Sequence, residues 1–330
     1  MLLRPLALGE LLDRSVSFWR SHWKPLFKLV IGFQLVTFVV VASAQGLTRK
    51  LFPLANDPAA LSRTPDLALP HLFGSIGLLL AASLIALYLS QLSGVATTWF
   101  SWSRVTGRGE PTPGDAFAHA AARLGVTTGA FLASIGWSLV VMVVLLLPGV
   151  AFSALTGYFA AKDSTAAAVL FGVLAGVSIV AGTVALMLWF IIRFILISQI
   201  IAVESPSALT AFRRADALSS GRVMPGVMGL VKMRLTVLVT VIGAILIVVS
   251  LVSSIPLLVV GAIFGANFSP GHTVNDVVPT VVLVPVQLVQ TFLGALAAPL
   301  FSVFQTWFYV DMRARREGLD LELALEGRAP

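Results

Sequence analysis

Between Arg123 and Lys162, and again between Asp163 and Arg193, the chain carries no charged side chain. A helix needs about 20 apolar residues to cross the hydrocarbon core of a bilayer, so each run is long enough to span one. Four more uncharged runs follow the same rule: Leu29 to Gly46, Leu72 to Ser103, Leu235 to Asn275, and Val277 to Val310, the last interrupted by Pro279, Pro285 and Pro299. Composition agrees, with 58% hydrophobic and 11% charged residues, which excludes an ordinary water-soluble chain. The expected fold class is therefore all-α: a polytopic integral membrane protein forming a single membrane domain over 1–330. Its six transmembrane helices are expected at 26–47, 73–100, 126–160, 166–193, 234–264 and 277–310. The absence of cysteine removes disulfide frameworks, thiolate metal sites and cysteine nucleophiles together.

Six spans put both termini on one side of the membrane, and the basic residues choose the side. Lys and Arg near span ends are retained in the cytoplasm. The segments on the amino-terminal side hold Arg4, Arg14, Arg20, Lys24, Lys28, then Arg104, Arg108, Arg123, then the six from Arg193 to Arg234, then the four from Arg313 to Arg328. Opposite them lie only Arg49, Lys50, Arg63 and Lys162. Both termini are expected to be cytoplasmic. The net charge of +7 then reflects topology, and no nucleic-acid partner is expected. The first 28 residues mix charges of both signs and lack an apolar core of signal-peptide length, so the first span is expected to direct insertion.

Three amphipathic helices are expected at this cytoplasmic face. Over 6–24, Leu8, Leu11, Leu12, Val16, Trp19 and Trp23 share one side, with Glu10, Asp13, Arg14, Arg20 and Lys24 on the other. That pattern fits a helix lying in the membrane interface or, equally, one packed beneath the spans. Thr112 with Pro113, and Ser205 with Pro206, supply a hydroxyl N-cap followed by proline for helices at 112–124 and 206–221. In the second, Ala208, Ala211, Phe212, Ala215 and Leu218 form the apolar face and Gly221 is placed to stop the helix. Residues 311–330 are read as a cytoplasmic tail.

These pieces suggest three copies of one unit, each a cytoplasmic amphipathic helix followed by an outward and a returning span. The returning spans share an ending: Trp99 and Phe100, Trp189 and Phe190, and Trp307 and Phe308 each precede an arginine, at Arg104, Arg193 and Arg313. Aromatics followed by a cation also mark any span exit, so the generic reading stands beside the repeat. Gly172 with Gly176, and Gly261 with Gly265, have the spacing for close helix contact within the bundle.

Three stretches carry a resemblance. "RPLALGELLDRSVSFWRSHWKPL" at the start, "RFILISQIIAVESPSALTAFRRADALSSGR" in the centre and "YVDMRARREGLDLEL" near the end resemble the bacterial glycerophosphoryl diester phosphodiesterase membrane-domain family. The matching positions are Glu10, Leu12, Asp13 and Arg14; then Glu204, Ala211, Arg214, Leu218 and Gly221; then Tyr309, Asp311, Arg313, Arg315, Glu317 and Gly318. The serine usual after the central arginine is Ala215 here. The resemblance implies six spans in a bacterial plasma membrane, without the soluble catalytic barrel that would carry phosphodiesterase activity.

Chemistry-bearing residues are sparse. His22, His71, His119 and His272 fall in separate segments without metal-ligand spacing, and the acids Glu204, Asp216, Asp311 and Asp320 lie beside arginines, where ion pairs and helix caps are the ordinary outcome. No catalytic, metal or cofactor site is expected, and the chain is not expected to be an enzyme. The spans contain no acidic residue, so ion-coupled transport lacks its usual groups. What remains within them are Pro148, Pro256, Pro279, Pro285 and Pro299, and Gln34, Gln91, Gln199, Gln287, Gln290 and Gln305.

The leading expectation is a non-catalytic scaffold or accessory factor engaging anionic lipid headgroups, or a membrane or cytoplasmic protein partner, through Arg14, Arg20, Lys24, Arg213, Arg214 and Arg222. Trp19, Trp23, Trp99, Trp189 and Trp307 would be its interfacial anchors. The alternative is a transporter or flippase for a lipid-like or neutral solute, which requires a cleft lined by the glutamines.

Overall fold

Backbone polar groups cannot be left exposed in hydrocarbon, so each long apolar run closes its hydrogen bonds internally as a helix. The computed structural model describes residues 6–52, 65–162, 164–204, 207–223, 225–226, 229–264 and 278–325. Among them the elements are α1 (Leu8–Ser21), α2 (Trp23–Leu51), α3 (Pro65–Val105), α4 (Pro113–Ala122), α5 (Leu124–Ala160), α6 (Thr165–Phe194), α7 (Ile197–Glu204), α8 (Ala208–Ser219), α9 (Val231–Ile263), α10 (Thr280–Glu317) and α11 (Leu319–Leu325). Six of the helices are long and apolar enough to cross a membrane, and the described residues contain no strand, only an isolated bridge between Arg222 and Leu230. The protein is an all-α polytopic membrane protein. Two units divide it, Met1–Leu124 with Val237–Pro330, and Gly125–Thr236.

In the first unit the side-chain core sits at the ends of the spans rather than at their middles. Leu11, Leu26, Phe100, Phe304, Phe308 and Tyr309 are fully buried, whereas the middles of α2, α3 and α10 leave large apolar side chains such as Val39, Ile85 and Phe292 exposed. Lipid tails solvate those side chains without cost, so packing is demanded only where water and headgroups begin. The buried end is the one that holds α1, α4 and α11, and it is called the terminal end below.

Helix α1 packs against α10 through Leu11, the buried Ser15 and Trp19. The Ser15 hydroxyl is satisfied by donating to Leu11 O at 2.7 Å. Trp19 donates its indole N–H to Leu296 O at 3.1 Å, beside the break that Pro299 imposes by having no N–H for Ala295 O. The helix does not continue to residue 24: it ends at Ser21, and Trp23 opens α2 instead, 43% exposed, with Val16 also outward. The amphipathic face read from the sequence is thus split between packing and exposure.

Helix α4 begins with the expected cap. Thr112 accepts from Asp115 N, while Asp115 accepts from the Thr112 backbone N–H at 2.9 Å and from its hydroxyl at 2.8 Å. Both bonds favour the carboxylate and hold Asp115 below its ordinary value of 3.8. A lowered folded value stabilises the cap above the unfolded value and loses that contribution as the pH falls through the folded one. The α4 cap is therefore expected to persist at pH 3.8 and to loosen below it, seen as amide exchange confined to Thr112 and residues 114–116 and abolished as a pH-dependent event in Asp115→Asn.

In the second unit, α5 and α6 form a close hairpin. A Cβ placed on Gly182 would lie 2.5 Å from Leu145 O, and one on Gly149 would lie 2.5 Å from Ile179 Cγ1. These two glycines hold the pair together. At the spacing singled out in the sequence, Gly172 makes ordinary contact with Thr156 and Gly176 faces open space; Gly265 lies outside the described residues. Gly182→Val must push a backbone carbonyl aside, so it is expected to cost about 1–3 kcal/mol and lower the melting temperature in detergent, whereas Gly176→Val leaves it unchanged.

Beyond α6 the chain turns through Ile195 and Leu196 into the buried helix α7 and then α8, whose Ala211, Ala215 and Leu218 face inward. The start of α8 differs from the sequence reading. Its N-cap is Ser207, whose hydroxyl accepts from Thr210 N, and helix begins at Ala208; Ser205 and Pro206 lie outside the described residues. Gly221 follows the helix with φ +89°, which glycine alone adopts without strain. The segment read as a tail is likewise partly helical, since α10 runs unbroken to Glu317, is capped by Gly318 at φ +67°, and is followed by α11.

Candidate functional site

The motif residues behind the family resemblance turn out to be bonded to one another. Glu10 pairs with Arg14 at 3.1 Å, Glu204 with Arg214 at 2.9 Å, Asp311 with Arg315 at 3.0 Å, and Arg313 with Glu317 at 2.9 Å. Three of these are i, i+4 pairs on one helix, the spacing at which opposite charges meet. Arg313 also lies over Trp102 and Tyr309, and Arg14 over Trp307 at 5.7 Å.

The Asp311–Arg315 pair does more. Leu6 donates its backbone N–H to Asp311 Oδ1 at 2.8 Å, and Arg315 donates from its second guanidinium nitrogen to Leu6 O at 2.7 Å. The segment preceding α1 is thereby clamped to the end of α10 at both its donor and its acceptor.

The six cations read as headgroup contacts therefore divide. Arg20 and Lys24 in the first unit, and Arg213 and Arg222 in the second, are exposed. Arg14 and Arg214 are half-buried and committed to carboxylates. The tryptophans divide too. Trp23 is exposed, but Trp307 is 4% exposed and Trp19 is bonded to α10, so these last two serve packing. Trp99 stacks on His119 at 4.7 Å, and Trp189 carries Arg193 over its ring at 5.3 Å.

The acids beside arginines form ion pairs. Asp216 is taken up by Arg193 and Glu204 by Arg214, while the side chain of Asp320 lies outside the described residues. His22 stacks on Phe18, His71 meets Phe52 edge-on, and His272 is outside the described residues. No group of three His, Asp or Glu side chains with metal-binding geometry occurs among the described residues.

The returning spans share a feature sharper than their aromatic endings. In each, an arginine folds back over the ring four residues earlier: Arg104 over Phe100 at 4.9 Å, Arg193 over Trp189 at 5.3 Å, and Arg313 over Tyr309 at 6.0 Å. In each unit an amphipathic helix also packs on the returning span that precedes it in the chain, α4 on α3 and α8 on α6. Helix α1 packs on α10, which would close the cycle.

The polar feature inside the membrane zone is a furrow between α2 and α10. A cavity of about 360 Å³ is lined by Gln34, Thr37 and Gln45 on α2 and by Gln287, Gln290 and Thr291 on α10. It shares Gln34 and Thr37 with a second cavity of about 220 Å³ that reaches Ser90 and Ser93 on α3, and Gln45 and Gln287 with a third of about 350 Å³ that ends at Arg49 and Lys50. From Val30 to Lys50 a helix rises about 30 Å, the thickness of the hydrocarbon core. The four glutamines are half-exposed, and none makes a side-chain hydrogen bond among the described residues. Gln45, at the centre of the overlap, was not singled out in the sequence; its i+11 spacing from Gln34 on one face of α2 is the signal that could have found it.

Comparison with protein-family models, characterised proteins and solved structures returned no match. The class of protein rests on the fold itself, a polytopic membrane protein with six span-length helices and a polar furrow in its first unit.

Proposed function

We propose that the protein moves phospholipid between leaflets, its furrow giving polar headgroups a path while the acyl tails stay in the surrounding lipid. One observation carries this reading: four glutamine amides without partners among the described residues line a furrow as long as the hydrocarbon core is thick. An amide left unbonded in hydrocarbon costs several kcal/mol, so such a row is sustained by water or by the polar atoms of a passing headgroup. The furrow runs from the serines of α3 to the cations Arg49 and Lys50, which suit a phosphate arriving at that end.

On this reading the protein sits in a bacterial plasma membrane with both termini cytoplasmic, as the distribution of Lys and Arg suggests, and acts without catalysis or cofactor. The membership suggested by the motif resemblance is compatible with it. Anionic-headgroup scaffolding is the second reading, favoured by the exposed Arg20, Lys24, Arg213 and Arg222. The order of the two readings is reversed from that expected of the sequence, because Gln34, Gln287 and Gln290, three of the six glutamines singled out there, share one cleft with Gln45.

The native chain has no cysteine, so single cysteines report accessibility directly. Cysteine at Gln34, Gln45 or Gln287 is expected to react with a membrane-impermeant thiol reagent in vesicles, and cysteine at Val39, 59% exposed on another face of α2, is not. Equal protection of all four positions would refute a hydrated furrow.

A further inference from the structure

At the terminal end of the first unit, about 8 Å further along α10 than the Ser302 end of the furrow, lies a separate cavity of about 450 Å³. It is lined by Phe18 and His22 from the α1–α2 junction, by Arg104 at the end of α3, by Glu110 from the following loop, and by Trp307.

Two polar groups in it lack partners. Trp307 is 4% exposed, and its indole N–H meets no acceptor among the described residues. A buried tryptophan N–H ordinarily finds one. Arg104 is the second: its Nε is buried without a hydrogen bond among the described residues.

Arg104 also departs from its counterparts. Arg193 and Arg313 occupy the same place in their spans, four residues after the ring they cover, and each is held by a carboxylate, Asp216 at 3.0 Å and Glu317 at 2.9 Å. Arg104 keeps the ring contact but has no carboxylate among the described residues. At His22, the Nδ1 nitrogen is engaged with Ser21 and with Phe18 O, which leaves Nε2 for the cavity. Glu110, exposed and without an ion pair among the described residues, supplies an acid at the rim.

We propose that this cavity binds a phosphate ester bearing an amine, the headgroup of an aminophospholipid. Arg104 and the Trp307 indole N–H take the phosphate oxygens, His22 Nε2 adds a third polar contact, and Glu110 receives the ammonium. A charge-assisted guanidinium contact is the strong element of such recognition, and the indole supplies direction. The acid at the rim selects against headgroups that carry only negative charge. The proposal rests on the lipid-moving reading and gives it an entry site.

Purified protein in detergent is incubated with phosphatidylethanolamine or phosphatidylglycerol, and bound lipid is counted by native mass spectrometry. Phosphatidylethanolamine is expected to bind at least tenfold more tightly. Arg104→Gln should remove that binding, Arg104→Lys should retain part of it, and Trp307→Phe should weaken it severalfold. Glu110→Gln, at an exposed position, should abolish the preference between the two lipids. Soluble phosphoethanolamine separates the sources of the same chemistry: failure to displace the lipid at equal concentration supports a lipid site, and displacement assigns the cavity to the free phosphate ester instead and overturns the aminophospholipid proposal. Equal binding of both lipids by wild type, or wild-type binding by both Arg104→Gln and Glu110→Gln, also overturns it. Because the furrow plays no part in detergent binding, loss of translocation with selective binding intact counts against the furrow alone.

Discussion

Asp311→Ala is expected to destabilise the protein by about 3–5 kcal/mol, the cost of breaking a buried charge pair from one side. Asp311 is 1% exposed, bonded through both carboxylate oxygens to Arg315 at 3.0 Å and through one to the Leu6 N–H at 2.8 Å. Its removal leaves the Arg315 guanidinium without this carboxylate and the Leu6 N–H without this acceptor, and loosens the segment before α1. Asp311→Asn keeps an acceptor and should lose less. Asp311→Leu combined with Arg315→Leu removes both charges and should fall between Asp311→Ala and wild type. By contrast, Glu317→Ala opens the more exposed Arg313–Glu317 pair and should cost no more than about 1 kcal/mol. Thermal unfolding in one detergent, followed by tryptophan fluorescence, ranks the series.

The second large effect separates stability from function. Changing Gln34, Gln287 and Gln290 together to leucine should leave the melting temperature unchanged or raised, because three amides without partners among the described residues are replaced by side chains that suit lipid. On the translocation reading, the same variant should slow headgroup passage at least tenfold, since an apolar furrow offers a phosphate no hydration. A stabilising change that removes function is the usual mark of residues kept for function. If the glutamines instead bind across a dimer, the triple variant should fall apart to monomers on sizing, with passage unaffected.

Much of the architecture was legible because charge is so unevenly spread. Runs bounded by Arg123, Lys162, Asp163 and Arg193 marked their helices without reference to propensity, and Thr112 with Pro113 marked the start of α4. Boundaries were less legible. Helix propensity carries α10 past Asp311 to the αL residue Gly318, and nothing in a hydropathy pattern announces the break at His22. Residues taken as surface contacts proved hardest to read. Arg14 and Arg214 look free in one dimension, yet Glu10 lies one turn away and Glu204 ten residues back across a helix junction. Trp307 carries the same signature as an interfacial anchor but is buried, because α1 covers it. The furrow depended on α2 and α10 lying side by side, a pairing between the first span and the last that no local pattern contains.

Lipid translocation is measured most directly in vesicles reconstituted with the purified protein and a headgroup-labelled phospholipid, bleached from outside with an impermeant reductant. With wild-type protein the inner-leaflet label is expected to be lost as well, and with the Gln34, Gln287 and Gln290 leucine variant only the outer-leaflet label. Protection of the inner leaflet by wild type, in vesicles shown to contain folded protein, would contradict translocation through the furrow.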